Sequence, residues 1–398
     1  MTVHPPVPTI GPRLTAIMAV ACGMMAANLY FAQALIGEIA PAVGLSGSAA
    51  GLVVTLTQLG YGAGLFLVVS LADLVENKRL ILLMTVGACL GELGIWLSRG
   101  AGSLLVFSFV AGFCSVGAQI MVPLAAHLAP EDRRGRIVGN IMGGLIAGIM
   151  LARPLANGIA AVAGWRTIFG LSAIAMALLG LVLARTLPER RPRPRFRYGE
   201  LLWSSLVLLV RTPTIRRRTA YQTTMFAAFN LFWTAVPLLL ATRFGLGQGG
   251  IALFALAGAG GALAAPIAGR LGDGGHGRAG TFAALVAAPV AFAIAGWAAG
   301  AMALVVLALA AVLLDAATQT NQVLGQRVLY SMAPDARGRI NAVYMTVVFL
   351  GGALGSAVGA ASFASRGWTA IAWEGAILGL GVVALFLTER RRGGDTPA

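Results

Sequence analysis

Twelve apolar runs dominate this chain, each about as long as a helix that crosses a bilayer. They occupy residues 14–40, 48–72, 80–97, 103–127, 137–162 and 167–184. After a polar divider come 219–242, 249–268, 281–299, 302–329, 340–364 and 369–387. A membrane's hydrocarbon core is about 30 Å thick and a helix rises about 1.5 Å per residue, so a span needs about 20 apolar positions. Only 11% of the 398 residues are charged and 58% are hydrophobic. A soluble domain carries about 25% charged residues to face water. These features predict an all-α polytopic membrane protein, six spans followed by six. They exclude a soluble enzyme, a secreted disulfide scaffold and a disordered chain.

The formal net charge of +15 would suit a nucleic-acid partner until the bases are placed along the chain. With both termini cytoplasmic, 24 of the 29 Lys and Arg fall in inside loops, tails or inside helix ends. Arg99, Arg166, Arg243 and Arg366 fall outside and Arg153 lies within a span. That bias is what sets membrane orientation, so the partners expected are the lipid bilayer and a small molecule, with no nucleic acid. Cys22, Cys89 and Cys114 lie in apolar segments without metal or disulfide spacing. The first span lacks the short apolar core and cleavage site of a signal peptide and is expected to be retained. The divider holds Arg190, Arg191, Arg193, Arg195 and Arg197 between prolines. Its apolar stretch at 200–211 is too short to span and should lie in the membrane interface. The organisation expected is a first bundle with a short tail (1–184), a basic cytoplasmic linker (185–218) and a second bundle with a tail (219–398).

The halves repeat. Gly135 and Gly338 follow similar Ala-Pro-acid loops at an offset of 203, and Gly164-Trp165 and Gly367-Trp368 keep that offset. So do Gln119 and Gln322, while Asn28-Leu29-Tyr30-Phe31 answers Asn230-Leu231-Phe232-Trp233 at 202. Matches at one offset indicate a duplicated six-helix unit, the plan of carriers whose site lies between two related halves.

Loop motifs extend this. Residues 69–79 read Val-Ser-Leu-Ala-Asp-Leu-Val-Glu-Asn-Lys-Arg, and 269–278 read Gly-Arg-Leu-Gly-Asp-Gly-Gly-His-Gly-Arg. Both resemble the loop signature of the major facilitator superfamily. In span five, Arg153-Pro154-Leu155-Ala156-Asn157-Gly158 keeps the proline and last glycine of that superfamily's antiporter motif, with Arg153 in place of a glycine. Span four has Gly112 but Ser108 where the family carries an arginine. The chain resembles this superfamily over its whole length, within a bacterial branch grouped with drug:proton antiporters and arabinose-efflux-like permeases. The resemblance implies two pseudo-symmetric six-helix bundles in the bacterial inner membrane. It implies a monomeric, proton-coupled carrier that exports a small amphipathic molecule by alternating access. Metabolite uptake or facilitated diffusion is the alternative, and a transporter-like receptor stands behind both. No nucleophile–base set, phosphate-binding loop or metal spacing is present, so neither an enzyme nor a cofactor is expected; a proton gradient would supply the energy.

Ionisable residues inside spans cost at least about 2.5–3.5 kcal/mol at a helix centre for Arg, Lys or Asp, so each invites a functional reading. Asp315 lies near the middle of span ten, on one helical face with Gln319, Gln322 and Gln326. By resemblance that span lines the cavity, so Asp315 is expected to carry the proton or meet a cationic substrate. Span four shows a matching stripe, Ser108, Gly112, Ser115 and Gln119. Arg153 lies about 25 Å of helix beyond Arg136 and needs an acceptor: Glu92, Glu374, Asp315 or an anionic substrate. Asn28, Tyr30, Gln33, Gln58, Gln119, Asn230, Trp233, Gln319 and Gln322 are the expected cavity residues. Glu92 and Glu374 lie on spans that are peripheral in the family, which favours a structural pairing or a snorkelling carboxylate. Asp73, Lys78, Arg79, Asp273 and Arg278 are expected to gate the cytoplasmic side, with Asp73 near the start of span eleven and Lys78 and Arg79 pairing with Glu131 or Asp132.

Overall fold

A computed structural model describes residues 10–192, 197–332 and 337–389. The described residues are helical, joined by short turns. The expected tail ends, Arg193, Arg195 and Pro194 of the linker and the Ala333-Pro334-Asp335-Ala336 loop lie outside them.

Nine helical runs among the described residues are long and apolar enough to cross a membrane. One of them, Gly338–Leu387, contains two spans. Gly367 separates them, with φ 70° and ψ −165°, a left-handed-side conformation open to glycine and costly for other residues. Spans one and eight are cut short by breaks. Span one runs as Pro12–Ala27, Phe31–Ala34 and Ile36–Ala42; span eight runs as Gln248–Ala259, a 3-10 turn at Gly260–Leu263, and Ala264–Asp273. Counting these, the twelve expected spans are present.

The remaining spans follow in order. Span two is Leu52–Leu67 with the turn Val69–Asp73, and span three is Asn77–Leu97. Span four is Ala101–Cys114 and Gly117–Leu128. Spans five and six are Arg134–Ala163 and Arg166–Thr186. The linker helix is Tyr198–Arg211. Span seven runs from Pro213 to Thr242, so its helix starts ahead of the expected residue 219, with proline at its first turn, where a missing N–H costs nothing. Spans nine and ten are Gly277–Gly300 and Leu304–Met332.

Packing follows the repeat. Span one crosses span five and span seven crosses span eleven; span two lies against both span four and span eleven. The crossings are close because small residues let backbones touch. A Cβ at Gly148 would meet the Gly23 carbonyl, and one at Gly351, its repeat partner, would meet the Thr223 side chain. The rim is apolar: Leu83, Val106, Ile174, Leu178, Leu253, Trp297 and Trp373 are exposed, as lipid-facing surfaces require. Inward-facing polar groups gather where spans one, two, five, seven, ten and eleven meet.

Candidate functional site

Broken helices bring the first group in. Span one ends its long helix at Ala27, and Leu29 and Tyr30 N–H groups donate to the Ala26 and Ala27 carbonyls at 3.3 and 2.9 Å. This tighter pitch, followed by short helices, turns Tyr30 and Gln33 toward the second half. Broken spans at the midplane are a recurrent way to aim polar groups at a carrier's site.

Gln33 is the hub. Its Nε2 donates to Asn230 Oδ1 at 3.1 Å and to Thr234 Oγ1 at 3.3 Å. Its Oε1 accepts from Arg153 Nη2 at 2.9 Å and from Nε at 3.3 Å. Asn230 Oδ1 also accepts from Gln58 Nε2, while Asn230 Nδ2 donates to the Phe226 carbonyl at 2.9 Å. The Thr234 hydroxyl in turn donates to Ser356 Oγ at 3.2 Å. Gln33 and Asn230 have no solvent exposure at all. Five spans thus meet in one hydrogen-bonded cluster.

Arg153 is held in an aromatic box. Its guanidinium lies 4.4 Å from the Trp233 ring centroid, 4.9 Å from Tyr30 and 5.2 Å from Phe229. Cation–π contacts of this kind contribute about 2 kcal/mol each when desolvated. Among the described residues no carboxylate forms an ion pair with Arg153. Trp233 joins it to the acid: the indole Nε1 donates to Asp315 Oδ1 at 2.7 Å. Asp315 is 8% exposed and Arg153 6%, so a buried guanidinium and a buried carboxyl group lie on either side of one indole. Gly261 makes room for the acid, since a Cβ there would stand 2.5 Å from the Asp315 Cβ.

The other expected cavity residues sit around this centre. Gln119 donates to the Tyr61 hydroxyl at 3.2 Å. Gln322 accepts from Gln222 at 3.4 Å, and Gln222 accepts from Asn321 at 2.7 Å. Gln319 is half-buried on the same face. Asn28 turns into its own half, accepting from Ser172 Oγ at 2.8 Å. In span four, Ser108 and Ser115 bond back to the carbonyls of Leu104 and Ala111, each at 2.7 Å. That stripe therefore serves helix packing except at Gln119. Sequence reading passed over Phe229, Gln222, Asn321 and Ser356. Ser356 carried a signal, because it stands 203 residues after Arg153; Phe229 carried none, because it is one apolar residue among many in an apolar span.

The peripheral acids separate. Glu374 accepts from Arg366 at 2.6 Å and from Ser362 at 2.8 Å. Glu92 is fully buried, and neither of its oxygens has a hydrogen-bond partner among the described residues.

At the end carrying the basic loops, the expected pairing of Lys78 and Arg79 with Glu131 or Asp132 is replaced. Glu76 caps span three, accepting from the N–H groups of Lys78 and Arg79 at 2.7 and 2.8 Å. Asp132 pairs with Arg133 at 3.4 Å. The linker supplies the further contact: Arg190 Nη1 donates to Asn77 Oδ1 at 3.1 Å, and the Asn77 N–H donates to the Arg190 carbonyl at 3.0 Å. Asp73 lies in the field of Arg190 and of Arg339 near the start of span eleven. In the second half Asp273 pairs with Arg327, and Arg278 with Glu389 at 3.5 Å. Beside span one, a cavity of about 430 Å³ opens at this end, lined by Ile10, Thr15, Arg133, Arg136 and Asn140 among others.

The chain is similar to known membrane carriers throughout. The sequence profile described as Major Facilitator Superfamily matches residues 15–320 and 222–398. An Escherichia coli O157:H7 protein named uncharacterized transporter YgaY is 39% identical over 93% of this chain and 94% of its own. A probable transporter of Streptomyces coelicolor, SCO4007, is 34% identical over 94% of this chain and 87% of its own. The crystal structure of a D-xylose–proton symporter superposes with a TM-score of 0.73 at 16% identity, covering 94% of this chain and 97% of that one. With the twelve-span repeat and its buried polar centre, these matches show a membrane transporter, and the chain belongs to the major facilitator superfamily.

Proposed function

We propose that this chain is a proton-coupled secondary transporter of the bacterial inner membrane, moving a small amphipathic molecule by alternating access. Both termini and the basic loops face the cytoplasm, and the chain works as a monomer. The halves 1–184 and 219–398 rock about the central cluster, tethered by the 185–218 linker. The observation that carries this reading is Asp315, a buried carboxylate in span ten bonded to Trp233 and opposed by Arg153 without a direct ion pair. Such a group can take up a proton, and gaining one changes the charge balance of the whole cluster. The rings of Tyr30, Phe229 and Trp233 suit an apolar body. Asp73, Lys78, Arg79, Asp273 and Arg278, with Arg190, form the cytoplasmic gate.

Export in exchange for protons is the first direction, supported by Pro154 and Gly158 in the span-five motif. Uptake or facilitated diffusion of a charged metabolite is the second, supported by the unpaired charge of Arg153. A growth-inhibition and dye-efflux panel in a pump-deficient bacterial host tests the first, comparing wild type, Asp315→Asn and empty vector with membrane insertion checked. Protection by wild type that Asp315→Asn abolishes supports export. Well-inserted wild type without protection removes the drug-exporter reading and leaves the metabolite carrier.

A further inference from the structure

Arg153 forms no ion pair among the described residues, and the carboxyl group of Asp315 acts on it only from across the Trp233 indole. A guanidinium offers five N–H donors. Here Nε and Nη2 share a single neutral acceptor, Gln33 Oε1, and rings fill three sides. A buried charge without an anionic partner is strongly destabilising. Side chains that stand this way in a membrane protein belong to a ligand path or a relay. Among the described residues no acid pairs with it directly: Glu374 is held by Arg366, and Asp315 lies beyond the Trp233 indole.

We infer that the transported molecule carries an acidic group, seated on Arg153 with its apolar body against Tyr30, Phe229 and Trp233, and that it moves together with a proton on Asp315. The second half is electrostatic linkage. With Asp315 ionised, Arg153 and Asp315 balance, and an arriving carboxylate adds a net negative charge to a dry site. With Asp315 protonated, Arg153 is uncompensated and the carboxylate restores balance. Each ligand therefore raises the affinity for the other by the same factor. The charged or ionisable groups acting on Asp315 are Arg153 of span five and Tyr30 of span one. Spans eight and nine carry their ionisable residues, Arg270, Asp273 and Arg278, at the basic-loop end, away from this depth. Acid and proton then cross in the same direction, inward with the proton gradient or outward with a steep gradient of the acid. A cationic substrate would do the reverse, displacing the proton and giving exchange. This inference rests on the central cluster being the transport site, and it selects the charged-metabolite reading over export in exchange for protons.

The test uses the full chain in lipid nanodiscs, with thermal unfolding as the readout. Probes are benzoate, 3-phenylpropionate and octanoate, each beside its amide and the corresponding amine, between pH 6 and pH 8. At least one acid should stabilise wild type where its amide and amine do not, with an affinity about tenfold higher at pH 6 than at pH 8. Arg153→Gln should lose that effect and Arg153→Lys keep part of it. Asp315→Asn should bind the acid equally at both pH values, because its side chain stays neutral. Binding of an amine that Asp315→Asn abolishes would overturn the acidic substrate while leaving the transport site in place. An acid effect that survives Arg153→Gln, or is independent of pH in wild type, would overturn the seat or the linkage respectively. No response to any probe from folded wild type would overturn the inference and count equally against the central cluster as a binding site.

Discussion

Gly112 and Asp315 stand 203 residues apart, at matching places on spans four and ten, and the two helix crossings they belong to differ in which helices carry a glycine. Two helices that cross closely need a small residue at the crossing. In the first half both helices supply one: a Cβ at Gly112 of span four would run into the Thr57 carbonyl of span two, and one at Gly60 of span two would run into the Phe109 carbonyl of span four. In the second half span eight alone supplies it here: a Cβ at Gly261 would meet the Asp315 Cβ and the Val312 carbonyl, the counterpart of Phe109. With span eight already small at the crossing, the span-ten position is free to carry a carboxylate. The surroundings are otherwise preserved: Ser115 bonds back to Ala111 at 2.7 Å, and its counterpart Thr318 bonds back to Leu314 at 2.9 Å.

The same asymmetry runs through the cluster. Asn28 and Asn230 match at 202, yet Asn28 serves its own half through Ser172, while Asn230 receives Gln33 and Gln58 from the opposite half. Span one breaks at that point and span seven does not. Arg153 and Ser356 occupy equivalent depths, one a cation and one a hydroxyl. Duplication supplied the backbone twice, and the site was made by letting the copies diverge: the cation on one side, the acid on the other.

The comparison can be broken by experiment. The largest effect is expected for Gly112→Asp, which places a side chain where the Thr57 backbone already stands. Overpacking typically costs 1–3 kcal/mol and occasionally more, and an unpaired buried charge adds to it, so detergent extraction should yield no monodisperse protein. Recovery of folded Gly112→Asp would show that the two crossings are interchangeable. Asp315→Gly should instead fold, since glycine already serves the matching position. It should lose at least about tenfold of its pH-gradient-driven flux in proteoliposomes, the loss expected of a group that exchanges protons.

Asn230→Ala and Asn28→Ala sharpen the contrast between spans seven and one. The first leaves the amides of Gln33 and Gln58 without their shared acceptor in a dry site, at about 1–3 kcal/mol for an unsatisfied buried donor. The second frees one hydroxyl, Ser172, and should cost about 1 kcal/mol. Unfolding midpoints in one detergent would measure both, and equal losses would contradict the division of roles. Glu374→Gln should have the smallest effect, about 0–1 kcal/mol, because Arg366 opposite it is 64% exposed and solvent weakens the pair.

Much of the architecture was legible in residue order alone. Apolar length sets where a chain can cross a bilayer, because every backbone polar group there must be satisfied within a helix. The offset of 203 revealed the duplication, and a carboxylate within span ten stood out for its desolvation cost. Residue order alone also pointed to Gln33, Asn230, Trp233 and Arg153 as candidates, since polar groups in such spans must face protein or water. It could not state who would meet whom. That Arg153 would find rings and an amide rather than Glu92 or Glu374, that Asn28 would turn away while Asn230 turned in, and that Arg190 would dock on Asn77 depended on tertiary packing. A span's periodicity fixes the face of a side chain. The partner across that face depends on where helices break and how closely glycines let them approach, which is decided when the two halves assemble.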